Sequence, residues 1–350
     1  MKKYIQLYNV LREQITKGVL TPGKQRPTEN AMAEGYGMSR QTVRQALEML
    51  RRDGFIYSVQ GSGSFIASAG NRSPENRRIA VITTYFSEYI FPSILRGISQ
   101  AAVENGYTIE ISTTNNSISA ERAILQNILQ HPVAGIIVEG TKAALPNPNA
   151  AYYQQLARQG VPIVFINSIY PGLEEERIVS VVTDDFNGGY QLTEHLILQG
   201  HKSIGCIFKS DDAQGINRFS GTISALVDHH VEYNDTNFLW FTTETNQYFR
   251  KVLSSGSLLT DCSAIVCYND QVAATVCSYL KHWEHGVRAI ASFDQNINPD
   301  LIPAGIDFRS LSHPKDVLGK TAALKLINML ADKPETSSVL PWGDAELPVL

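Results

Sequence analysis

Disulfides, metal clusters and membrane spans all lack raw material in this chain. Its four cysteines, Cys206, Cys262, Cys267 and Cys277, form no CxxC pair and have no histidine at metal-ligand spacing, so neither a disulfide framework nor a zinc site is expected. Their apolar surroundings read as buried thiols. No apolar stretch approaches the roughly 18 to 20 residues of a membrane span. The opening Met1-Lys2-Lys3-Tyr4 leads into an amphipathic pattern instead of a secretory apolar run, so the chain reads as cytoplasmic, with no membrane partner. Catalytic signatures are missing too. No G-x-S-x-G, P-loop or strand-borne G-x-G-x-x-G occurs, and Gly61-Ser62-Gly63 runs into Ser64-Phe65, not into a helix. Neither an enzymatic activity nor a cofactor is expected.

What the chain does have is an uneven charge. Residues 1–78 carry 13 Lys+Arg against 6 Asp+Glu, whereas the remainder carries 17 against 28. A basic head on an acidic body assigns contact with a polyanion to the head alone, because Lys and Arg supply most non-specific affinity for DNA phosphates. With 350 residues, 43% of them hydrophobic, the chain can fill more than one core.

The head reads as three helices and a hairpin. Tyr8, Leu11 and Ile15 fall at helical spacing within Ile5–Lys17, which Gly18 and Pro22-Gly23 close. Thr28 caps a short helix through Asn30, Ala31 and Ala33, and Gly35-Tyr36-Gly37-Met38 makes the turn. Ser39 caps a third helix, Arg40–Asp53, whose Val43, Ala46, Leu47 and Leu50 share one face. At 100° per residue, Arg40, Arg44 and Arg51 line a stripe about 40° wide beside that face. The extended runs Phe55–Val59 and Ser64–Ile66, joined by Gln60-Gly61-Ser62-Gly63, read as a β-hairpin wing. A basic helix fits the major groove, Arg can read guanine O6 and N7, and small wing-tip residues let backbone approach the duplex. Ser39 and Thr42 lie where a helix start meets phosphates.

Pro27-Thr28-Glu29-Asn30, Gly37-Met38-Ser39-Arg40-Gln41-Thr42-Val43-Arg44, Gly54-Phe55-Ile56 and Gly61-Ser62-Gly63-Ser64-Phe65 together resemble the GntR-type winged helix-turn-helix signature. The resemblance implies operator contacts from Asn30, Arg40, Gln41, Thr42 and Arg44, with Gln60, Gly61, Ser62 and Gly63 at the wing and Lys3 and Tyr4 near the amino terminus. The DNA-binding domain is expected over residues 1–69, an almost wholly polar linker over 70–78, and an effector-binding and dimerisation body over 79–350.

From Ile79 onward, strand-like and helical runs alternate as far as Ala289–Phe293, the pattern of a doubly wound parallel sheet, and the length suits two such sheets. The fold class is α/β, with a bilobed body. Ligands of such sheets lie beyond the carboxyl ends of strands. The loops there are polar: Thr84-Tyr85, Asn115-Asn116, Glu139-Gly140-Thr141-Lys142, Asn167, Asp184-Asp185, Lys209 to Asp212, Asn269-Asp270 and Asp294-Gln295. Side chains of this kind pair with sugar hydroxyls, and Tyr85 can cover a ring face.

Glu194-His195-Leu196, Gly200-His201, Arg218-Phe219-Ser220-Gly221, Tyr268-Asn269-Asp270, Phe293-Asp294 and His313-Pro314 ahead of Leu318-Gly319 resemble the lactose-repressor effector domain, itself similar to periplasmic sugar-binding proteins. That resemblance implies that Arg218, Asn269 and Asp294 bind ligand hydroxyls, with Asn167 and His313 lining the cleft. A GntR-type head on such a body, with Tyr89-Ile90-Phe91-Pro92, Asp212-Ala213-Gln214-Gly215 and Glu139-Gly140-Thr141-Lys142, resembles the arabinose repressors of Gram-positive bacteria. The expected effector is therefore L-arabinose, and the expected partner is double-stranded operator DNA, palindromic and held by a homodimer. Another pentose, a hexose or a purine is the alternative ligand. Apolar residues on Ile94–Val103 and Ala120–Leu129 are expected to supply the dimer interface.

Overall fold

The computed structural model describes residues 2–16, 19–21, 24, 26–52, 55–59, 63–66, 76–87, 89–173, 175–254, 261–281 and 286–344. The head comprises α1 (Lys3–Thr16), α2 (Glu29–Gly35), α3 (Arg40–Arg52) and the hairpin β1 (Ile56–Val59) and β2 (Gly63–Ile66). Leu7 and Leu11 of α1, Met32 of α2, and Val43, Ala46, Leu47 and Leu50 of α3 close on Ile56 and Ile66 in one buried core. The wing is antiparallel, with Ile56 opposite Ile66. A third segment joins it: Arg26 N donates to Ser64 O at 3.0 Å and Ile66 N to Lys24 O at 3.0 Å, an antiparallel exchange. Of the expected linker, residues 70–75 lie outside the described residues, and Arg78 already opens the first strand of the body.

The first lobe is a six-stranded parallel sheet in the order β13-β7-β6-β5-β3-β4. Its strands are β3 (Arg78–Thr83), β4 (Thr108–Thr113), β5 (Gly135–Glu139), β6 (Ile163–Ile166), β7 (Ile178–Thr183) and β13 (Ser338–Leu340). The helices α4 (Phe91–Glu104), α5 (Ile118–Gln130), α6 (Ala150–Arg158) and α11 (Lys315–Leu330) cover its two faces. The second lobe is a five-stranded sheet ordered β12-β11-β10-β8-β9. It contains β8 (Ile204–Lys209), β9 (Phe238–Phe241), β10 (Ala264–Cys267), β11 (Ala289–Phe293) and β12 (Asp307–Leu311), with α7 (Asp185–Leu198), α8 (Ala213–Asp228), α9 (Asn246–Ser254) and α10 (Asp270–Leu280). Every strand pair in both sheets is parallel, so the carboxyl ends of each sheet open on one side.

Close helix packing sets the two lobes. A Cβ on Gly319 of α11 would lie 2.1 Å from Ile94 O of α4, and one on Gly97 of α4 would lie 2.4 Å from Asp316 O. Gly189 of α7 and Gly221 of α8 oppose each other's helix in the same way, at 2.0 Å from Arg218 O and 1.9 Å from Phe186 O. Backbone meets backbone only because these positions carry no side chain.

Three passages link the lobes: Thr183 to Asp185, Leu311 to Lys315, and Leu340 to Gly343. Asp184 N donates to Leu340 O at 3.0 Å and Gly343 N to Ser312 O at 2.9 Å, so the passages run side by side as a hinge.

One expectation is corrected. The apolar residues of α4 and α5 do not form an outer interface: Ile94, Leu95, Ile98, Ala101 and Ala102 are buried against α11 and the sheet, and Leu125 and Ile128 are buried on the other face. Of the α4 set, Val103 is the one that stays exposed, at 64%. Four elements, α9, β12, α11 and β13, were not read from the sequence. At a sheet edge, β12 opens on Asp307-Phe308-Arg309, and β13 has only three residues.

Candidate ligand cleft and nucleic-acid interface

In the head, Ser39 Oγ accepts from Thr42 N at 3.2 Å and lies 2.9 Å from Thr42 Oγ1, which starts α3 as the capping pattern predicts. The apolar face of α3 is buried, which turns Arg40, Gln41, Arg44 and Arg51 outward and leaves Thr42 half-buried. Arg44 Nη2 lies 3.4 Å from Glu29 Oε2, so α2 holds the guanidinium beside the exposed face. Asn30 is exposed one residue further on. Lys3 is exposed at the start of α1, whereas Tyr4 packs against the core of the head, with Lys2 Nζ 6.0 Å from its ring centre. Gly63 opens β2; Gln60, Gly61 and Ser62 lie outside the described residues.

In the body, strand ends from both lobes line one cavity of about 710 Å³. Tyr85, Glu139, Asn167, Arg218, Asn269, Asp294 and His313, all singled out from the sequence, lie in its wall. Lys142 does not. Its ammonium crosses to the second lobe, 3.5 Å from Asp211 Oδ2 and in contact with Glu244 Oε1. Thr84, Tyr89, Lys209, Asp212 and Tyr268 are wall residues not chosen beforehand. Lys209 and Asp212 stand at a strand end and carried the same signal as the rest, but Tyr89 precedes a helix and stood out only within the Tyr89-Ile90-Phe91-Pro92 resemblance, with no role attached.

Each wall residue is held by its neighbours. Glu139 accepts from Thr84 N at 3.1 Å, from Thr84 Oγ1, and from Asn167 Nδ2 at 2.7 Å. Burial pushes its carboxyl above the ordinary range, and these donors offset that in part. Asn167 and Asp294 both adopt positive φ, 63° and 95°, which aims short polar side chains at the cavity from a tight turn. Tyr89 reaches across the cleft, its hydroxyl against Asp294 Oδ2 and accepting from Asp270 N at 3.1 Å.

Arg218 is fully enclosed. Its Nε donates to Asp185 Oδ1 at 2.9 Å and its Nη1 to Tyr268 O at 2.6 Å, while the guanidinium sits 4.3 Å from the Phe293 ring centre and 5.0 Å from that of Trp342. Burial works against its charge, but Asp185 and Asp294 outweigh it and keep Arg218 more firmly protonated than usual. His313 stacks edge-on to Trp342 at 5.2 Å. Burial lowers its pKa to about 4, despite the pull of Asp294. In the cavity wall, Asn167 Oδ1, Thr183 Oγ1, Asp294 Oδ1 and His313 Nδ1 are buried with no hydrogen-bond partner among the described residues. Asn269 caps α10 through Val272 N at 3.1 Å. All four cysteines are buried and unpaired, and burial raises the Cys277 thiol to about 11. Among the described residues, no group of side chains could hold a metal ion, and no helix is long and apolar enough to cross a membrane.

Residues 3–66 match the model of bacterial regulatory proteins of the gntR family, and residues 76–340 match that of periplasmic binding proteins and the sugar binding domain of the LacI family. Over 94% of this chain and 89% of the relative, the sequence is 33% identical to an arabinose metabolism transcriptional repressor of Halalkalibacterium halodurans. It is 34% identical to one of Geobacillus stearothermophilus, over 98% and 94% of the two chains. The crystal structure of a putative ribose operon repressor from Burkholderia thailandensis, 18% identical, superposes with a TM-score of 0.65 over 78% of this chain and all of the other.

Proposed function

The chain belongs to the family of periplasmic binding proteins and LacI-type sugar-binding domains and carries a gntR-type regulatory head, and from that premise we propose that it represses genes for L-arabinose use. In this reading a homodimer in the cytoplasm holds a palindromic operator through α3 and the wing, and L-arabinose in the cleft releases it. Two relatives that match over most of both chains are named as arabinose metabolism transcriptional repressors, which supports this reading.

The observation that carries the reading is the chemistry of the cleft wall. Buried polar atoms without partners are rare in folded proteins. Here four of them, on Asn167, Thr183, Asp294 and His313, lie in the cleft wall and come from both lobes and the hinge. A polyol supplies hydroxyls that donate and accept at every carbon, which suits this mixture of oxygens and a neutral imidazole. Tyr85, 39% exposed at the cavity wall, can cover the apolar face of a ring. A sugar held by both lobes favours the closed arrangement of the hinge and so biases the placement of the two heads on the operator half-sites.

A thermal-shift screen tests the ligand. L-arabinose should raise the melting temperature progressively with its concentration, by the equivalent of about 2.7 kcal/mol at a hundredfold excess over its Kd. A shift with a hexose or a purine base, and none with L-arabinose, would overturn the arabinose reading.

A further inference from the structure

Glu121 lies on α5, outside the cleft, and is completely buried. A carboxylate offers about four acceptor sites, and here all four are used. Oε1 accepts from the hydroxyls of Tyr153 at 2.7 Å and Tyr170 at 2.6 Å, and Oε2 from Asn147 Nδ2 at 2.9 Å and Asn149 Nδ2 at 2.8 Å. Both asparagines belong to the excursion between β5 and α6. Asn147 Nδ2 also reaches Thr141 O at 3.2 Å, so the carboxylate gathers both ends of that loop.

The far side of the same loop meets the other lobe. Lys142 Nζ lies between Asp211 and Glu244, and Ala144 N donates to Asp211 O at 3.3 Å. Lys142 N donates to Asn116 Oδ1 at 2.8 Å, and Asn116 Nδ2 in turn reaches Thr243 Oγ1 at 2.6 Å. Asp211 closes the circuit by accepting from Thr243 N at 3.1 Å. Lys142 and Asn116 both have positive φ, 48° and 56°, a backbone shape that non-glycine residues keep only when their surroundings hold them.

We propose that Glu121 is a positioning residue for the response to ligand: it holds the Thr141–Asn149 loop in the shape that presents Lys142 and Ala144 to Asp211 and Glu244, and thereby sets how firmly the lobes join along this rim. The inference deepens the reading of a ligand-closed cleft and rests on it for its consequence, but not for its geometry.

The test uses the full chain without ligand first. In Asn147→Ala, which cuts one tie at a half-buried position, amide hydrogen exchange should quicken at Ala144 and at Thr243 together, although Thr243 is in the other lobe. Glu121→Gln, which keeps one oxygen, should move both amides in the same direction; if it does not fold, Asn147→Ala decides. The half-maximal L-arabinose concentration for operator release should rise about 10-fold in Asn147→Ala, with sugar-free operator affinity unchanged. Loosening at Ala144 with wild-type protection at Thr243 shows a purely local role and overturns the proposal, as does unchanged exchange at both. A wild-type protein indifferent to L-arabinose overturns the arabinose reading alone, and the exchange result still decides the role of Glu121.

Discussion

At the scale of single residues, burial sets the ionisation of the cleft. His313 has a pKa of about 4 in the folded chain against about 6.5 when unfolded, so the unfolded state takes up the proton first. Its contribution is complete above pH 6.5 and is lost as pH falls towards 4. Asp270, raised by burial to about 6, has the opposite sign and gains stability as pH falls through 6 towards the unfolded value. The two oppose each other, so the difference between proteins is the informative quantity. Relative to His313→Gln, the wild type should lose about 2 kcal/mol between pH 7 and pH 5, measured by chemical denaturation. A constant difference would show that His313 is not held neutral. Tyr85, Glu139, Asn167, Asn269 and Asp294 were legible because strand-end loops carry polar side chains for ligands, whereas Arg218, inside α8, and His313, after the unread β12, came from the family resemblance alone. Tyr89 was not legible, because its partner Asp294 lies 205 residues away and such contacts leave no local pattern.

At the scale of elements, capping residues and apolar faces revealed most helices to within a few positions, since a side-chain cap and an i, i+4 stripe are both written locally. Thr28 and Ser39 each cap as their positions imply, their hydroxyl oxygens accepting from a backbone N–H of the first turn, and Asn269, expected only as a ligand residue, also caps α10. The glycine contacts between α7 and α8 were opaque, because a glycine's partner is another helix's backbone. Gly189→Ala forces a Cβ against Arg218 O, so it should destabilise the fold by about 1–3 kcal/mol and weaken ligand binding by displacing Arg218. Denaturation and calorimetry on one preparation check both effects. On α3, Arg44→Ala should weaken operator binding by about 1–3 kcal/mol if the guanidinium reads a base. A uniform loss across sequences with a shallower salt slope would place Arg44 on phosphate instead.

At the scale of the molecule, the basic head and acidic body separate two tasks, and the hinge at Asp184, Ser312 and Gly343 joins the lobes of the second. The two parallel sheets were readable from alternation alone. The lobe contacts through Lys142 and Tyr89 were not, since they depend on how the sheets face each other. The central claim is that a sugar in the cleft loosens the grip on DNA, and operator affinity of the full chain at one salt concentration, with and without saturating L-arabinose, tests it most directly. Coupling of ordinary size predicts a weakening of about 5- to 150-fold. An affinity that stays the same at saturating sugar would contradict the account.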